Sequence, residues 1–180
     1  EGWKRLADYL IERNEKLAQS REEWGRAMFF TLEDLEQIVL QYPEETEYRK
    51  KLAAYQRLVG RINDARSHYQ RIVQADQNDV ESRVQLAICN YLTNDPQSKQ
   101  KAIDELYSLV GYDAATRTFD AAKGKAKDQL QAYQALSAFL RQEVNDPATA
   151  DGVLDAMIQA NPTSYRAYLA RAVNHLQMQR

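Results

Sequence analysis

The feature that most constrains the fold is a recurrence. Leu52-Ala53 returns as Leu86-Ala87 after 34 residues, and Ala138 returns as Ala172 after the same 34. A period of this length marks stacked supersecondary units, each unable to bury its apolar face alone. Within the clearest unit, Gly60 separates two helical patterns and can end the first in a left-handed conformation. Small residues at Ala53 and Ala65 let two antiparallel helices approach closely. Tyr69 and Ile72 follow Ala65 on the same helical face.

The second-helix face reappears in Ala102, Leu106 and Leu109, after a short insertion around Asn94-Asp95-Pro96. A third copy carries Ala138, Ala150, Leu154 and Met157, closed by Asn161-Pro162. The last copy, with Tyr168 and Ala172, contains only its first helix. A degenerate copy opens the chain: Trp3, Leu6 and Ala7 suggest a first helix, and Leu35, Ile38 and Pro43 the end of a second. The extra residues between them, with Leu17, Trp24 and Met28 at roughly helical spacing, predict longer helices or an ordered elbow. The expected units are 1–45, 46–79, 80–113, 128–162 and a half unit 163–180, forming a single helical domain over 1–180.

This pattern resembles the tetratricopeptide repeat family. Leu52-Ala53, Gly60, Ala65 and Tyr69 match its Leu-small pair, turn glycine, second-helix alanine and aromatic. Pro43 and Pro162 match its closing proline, and Trp3 and Tyr168 its bulky opening residue. The sequence departs from the family at Gln77, where Pro is usual, at Gln56 and Asn90, where an aromatic is usual, and at Arg171, where Leu is usual. The resemblance implies an all-α fold, a right-handed α-α superhelix of antiparallel helix pairs. Scarce helix breakers agree: the chain has 6 Gly and 4 Pro.

Between two of these pairs lies an insertion, residues 111–127. Tyr112 and Phe119, with Thr116 and Thr118 between them, predict a small extended hairpin, followed by Lys123, Lys125 and Lys127. Long connections in such stacks are often functional or mobile.

No catalytic constellation emerges, and the chain is expected not to be an enzyme. The two histidines, His68 and His175, have no metal-ligating neighbour at helical spacing, so no metal site is expected. The single cysteine, Cys89, sits among Leu86, Ile88 and Leu92 and reads as a small buried hydrophobe. Gly124-Lys125 lacks the upstream glycine of a phosphate loop, and Asp76, Asn78 and Asp79 read as a turn between units. No cofactor is expected.

Mixed charges and a net charge of −2 argue against a chain-wide hold on nucleic acid. No apolar run is long enough for a membrane span. The start at Glu1, without Met, is read as that of an excised or processed segment.

The resemblance implies a protein-interaction scaffold in which first helices line a concave groove. The residues carried onto groove positions include Lys50 and Arg57 in one unit and Val84, Ile88 and Tyr91 in the next. Tyr91 is the expected anchor for an extended peptide or partner helix, and Tyr112 and Phe119 form either a ligand-contacting lip or a loop tacked onto the stack. Ala54 and Ile88 stand where the family's chaperone-binding clamp has Asn, so that mode is not expected. The alternatives are a docking or regulatory domain of a larger enzyme and a self-association module using Trp3 or Tyr168.

Overall fold

The computed structural model describes residues 5, 8–9, 11–12, 21–113, 115–120 and 122–178, the side chains of 21–28 and 177–178 excepted. Trp3, Leu6, Ala7 and Leu17, and the side chains of Trp24 and Met28, lie outside the described residues. The structure is mostly helical, with eight helices among the described residues packed as sequential antiparallel pairs. They fall into two compact units, Glu1–Gln77 and Asn78–Arg180.

Unit 1 holds α1 (Arg21–Gln41), α2 (Thr46–Leu58) and α3 (Ile62–Ala75). Helix α2 stops where the sequence predicts. Gly60 takes φ +84°. Its N–H bonds Arg57 O at 3.1 Å, and the Arg61 N–H bonds Gln56 O at 2.8 Å. This reciprocal pair satisfies carbonyls that a helix end would otherwise leave open. The core gathers Ile11, Leu32, Leu35, Val39, Tyr48 and Leu52. Ala53 and Ala65 are both fully buried, which permits the close approach of α2 and α3.

Unit 2 holds α4 (Val80–Leu92), α5 (Pro96–Val110), α6 (Leu130–Phe139), α7 (Pro147–Ala160) and α8 (Tyr165–Met178). One tripeptide makes the same corner twice. Asn94 and Asn145 take the left-handed conformation, with φ of 61° and 51°. Asp95 and Asp146 then cap α5 and α7 by accepting from Ser98 N and Thr149 N. Pro96 and Pro147 follow at the first helical turn, where a missing N–H costs nothing. Asp79 caps α4 in the same way, accepting from the backbone N–H and hydroxyl of Ser82 at 3.0 and 3.1 Å. Helix α6 widens into one π-helical turn, Leu140–Val144, before the second corner. Leu106, Leu109, Leu136, Leu154 and Met157 fill the core between Ala87, Ala102, Ala132 and Ala150. Cys89 of α4 is also buried.

The insertion contains the expected hairpin. Strands β1 (Tyr112–Asp113) and β2 (Thr118–Phe119) are antiparallel, with Tyr112 opposite Phe119. Asp113 shapes the turn by accepting from Ala115 N and Thr116 N. The loop is then clasped to the end of α5. Lys125 N and Ala126 N both bond Leu109 O at 2.8 Å. Gly111 and Gly124 are crowded together, and a Cβ on Gly111 would lie 2.6 Å from Gly124 N.

Candidate interaction surface

Lys50 and Arg57 lie two turns apart on α2, on one face with Glu47 and Ala54. Glu47 is exposed, and the other three are partly so. The Lys50 ammonium lies 3.7 Å from Glu47. Nε of Arg57 is buried without a hydrogen-bond partner. Helix α2 therefore carries a mixed-charge stripe that the core of unit 1 does not consume.

The corresponding residues of α4 are placed differently. Val84, Ile88 and Tyr91 belong to the buried core of unit 2, with exposures of 1%, 8% and 6%. The Tyr91 ring stacks on Phe139 of α6 with centroids 3.5 Å apart and planes within 6°. Its hydroxyl donates to Gln142 at 2.9 Å or Glu143 at 3.1 Å. Lys99 reaches the same Glu143 at 2.6 Å and stands 5.2 Å above the Tyr91 ring. Burial, with the carboxylate beside it, pushes the Tyr91 hydroxyl up to about 12. Tyr91, expected as a groove-lining anchor, is thus largely enclosed by its own unit. An apolar stripe at helical spacing gains as much by packing on a neighbouring helix as by waiting for a ligand, and here α6 covers it.

Tyr112 and Phe119 also face inward. Tyr112 is 7% exposed, stacks on Tyr107 at 6.0 Å, and presses its hydroxyl against Gly152. Phe119 packs partly buried on the same core. Both pack the insertion against unit 2. Beside them opens a cavity of about 550 Å³, lined by Asp104, Tyr107, Asp113, Thr118, Asp120 and Lys123. Burial, with Tyr112 and two acids adding to it, raises the Tyr107 hydroxyl to about 12.

Unit 1 contains a feature that helical periodicity does not reveal. A cavity of about 470 Å³ opens among α1, α2 and α3. Arg49, only 9% exposed, reaches its wall. Its Nη2 donates to Pro43 O at 2.6 Å, and its Nη1 lies 3.3 Å from His68 Nδ1. Among the described residues no carboxylate pairs with it. Gln56, 2% exposed, lines the same cavity, and its Oε1 lacks a hydrogen-bond partner. Arg61 is bound on both sides, to Glu36 at 2.7 Å and Asp64 at 2.8 Å. Val39, Leu40, Pro43 and Leu52 supply the apolar wall. Burial lowers the His68 pKa, and the nearby Arg49 and Arg71 lower it further against Asp64 and Glu36. The signal was present in the sequence: Arg49 and Gln56 flank Leu52-Ala53 on the inward side of α2.

Among the described residues no group of His, Cys, Asp and Glu is placed to hold a metal, and no helix is long and apolar enough to cross a membrane.

Antiparallel pairs of this length, joined by short corners and closed on small residues, define a tetratricopeptide-like helical-repeat fold. The solved structures similar to the chain include two of MamA, a protein containing tetratricopeptide repeats. One aligns with a TM-score of 0.56 at 18% identity, covering 88% of this chain and 83% of that one. The other aligns at 0.55 and 18%, covering 91% and 80%. At this identity the likeness is one of fold. No protein-family model matches the sequence, and no curated protein does.

Proposed function

We propose that the chain is a protein-interaction scaffold that docks a peptide or partner protein on the partly exposed Glu47–Arg57 stripe of α2. The observation that carries this reading is the contrast between α2 and α4. The stripe Glu47, Lys50, Ala54 and Arg57 remains at least partly exposed, whereas Val84, Ile88 and Tyr91 are consumed by the core. A helix fixed by its neighbours holds such groups in place beforehand, which lowers the ordering cost of binding. Lys50 and Arg57 supply the positive charge, so the partner surface is acidic.

The test is capture of partners from source-cell lysate by the full chain and by Lys50→Glu/Arg57→Glu, after circular dichroism has shown equal helicity. A partner bound by the parent and lost by the variant supports the reading. Identical partners on both exclude the α2 stripe.

A second reading, self-association, has an observation of its own. Helix α8 exposes Tyr165, Tyr168, Leu169, Val173 and Leu176 at 42–71%. Concentration-dependent sedimentation reads it directly, and Leu169→Lys/Leu176→Lys abolishes it if α8 is the contact.

A further inference from the structure

The cavity of unit 1 sets an under-used guanidinium beside an apolar wall. Arg49 is nine-tenths buried, and its two hydrogen bonds go to a neutral carbonyl and to an imidazole nitrogen. A buried cation normally has a carboxylate partner, because desolvation is otherwise uncompensated. Gln56 adds a buried acceptor without a donor. Both features lie on the wall of one cavity of about 470 Å³, enough for a small organic group.

We propose that this cavity binds a monocarboxylate, its oxygens on the Arg49 guanidinium and its apolar part along Val39, Leu40 and Leu52. The charges of the lining select the valence. Arg49, Arg61 and Arg71 give three positive charges, and Glu36 and Asp64 give two negative ones, so one positive charge is left with His68 neutral. Arg61 is already committed to both acids. A dianion such as phosphate would meet Glu36 and Asp64 with charge to spare, whereas one carboxylate balances the site. The planar guanidinium fork matches carboxylate geometry. Gln56 Oε1 can accept from an N–H adjacent to the carboxylate-bearing part of the ligand. The carboxylate is either that of a free small acid or the side chain of an acidic residue in a partner segment. Neither Lys50 nor Arg57 lines the cavity, so the site is separate from the α2 stripe.

Binding has a built-in reporter. Arg49 is one of the groups that hold the His68 pKa down. An anion on Arg49 offsets that charge and shifts His68 upward. The other charged groups facing His68 are Arg71 and Asp64 on α3 and Glu36 on α1, and they are the same in both states.

The experiment is NMR titration of the full chain, following the Arg49 Nε–H and His68 ring signals, with His175 as an internal control. The probes are hexanoate, the blocked peptide acetyl-Ala-Glu-Ala-amide and inorganic phosphate at matched ionic strength. Saturable shifts at Arg49 and His68 are expected with a carboxylate probe, with an upward movement of the His68 titration. Tighter binding of hexanoate identifies a free acid, and tighter binding of the peptide identifies an acidic side chain. Arg49→Met raises Kd by at least ~10-fold. His68→Glu plants a competing carboxylate beside Arg49 and does the same, and it decides alone if Arg49→Met loses helicity. No saturable shift with either carboxylate, tighter binding of phosphate, or an unchanged Kd in a correctly folded variant overturns the proposal. None of these outcomes depends on capture of a partner by α2.

Discussion

Nη1 of Arg49 points at Nδ1 of His68 across 3.3 Å, tying α2 to α3. A guanidinium can only donate, so Nδ1 must accept and the imidazole proton sits on Nε2. A doubly protonated ring has no acceptor there. The bond and a protonated His68 are therefore mutually exclusive.

The consequence for pH has a definite sign. The folded-state pKa of His68 lies below its ordinary 6.5, mainly because the ring is half-buried and secondarily because of Arg49 and Arg71. As pH falls through 6.5, the unfolded chain takes up this proton before the folded chain does. Stability therefore drops as pH falls from 6.5 towards the folded-state pKa and levels off beneath it. NMR titration should find His68 below 6.5, and Arg49→Met should move it upward. A value at or above 6.5 in the parent chain contradicts this account.

Tyr91 separates packing from hydrogen bonding. Tyr91→Phe keeps the ring on Phe139 and loses only the hydroxyl bonds to Gln142 and Glu143, at a cost of about 1 kcal/mol. Tyr91→Ala also removes the stacked ring from the core and costs about 3–5 kcal/mol. Urea denaturation of the two variants measures the difference. Equal effects would mean that the ring is not held as described.

Two glycines with positive φ should respond unequally to alanine. Gly60 has φ +84° and open space around it, so Gly60→Ala pays only the left-handed backbone penalty, about 1–2 kcal/mol. At Gly111, φ is +74° and an added Cβ would meet Asp120 O at 2.5 Å and Gly124 N at 2.6 Å. Gly111→Ala must displace backbone as well and should be the more damaging. Faster amide exchange at Lys125 and Ala126, whose N–H groups bond Leu109 O, is the specific readout.

Helix α4 depends on its cap. Asp79→Ala removes the acceptor for the Ser82 N–H and hydroxyl and should cost about 1 kcal/mol. Asp79→Asn, which keeps an oxygen acceptor, should recover most of it in thermal melts.

Much of the architecture was legible because it is local. Gly60 and the Ala65–Tyr69–Ile72 face act through backbone geometry and helical periodicity, which neighbouring residues in the chain set by themselves. The hairpin of Tyr112 and Phe119 was legible for the same reason, from aromatic and β-branched residues around a turn. The fates of the apolar stripes were not. Val84, Ile88 and Tyr91 look from sequence like either a docking face or a packing face, and periodicity is the same for both.

The sequence by itself determined most of the described helices and their pairing in antiparallel order, because short connections leave adjacent helices few ways to pack. Only the tertiary structure decided which faces remain open. Whether α6 covers Tyr91, and whether Arg49, Gln56 and His68 converge on one cavity, depends on how residues from separate helices meet in space. Burial and desolvation are properties of that meeting, so they set the roles of these side chains only once the chain has folded.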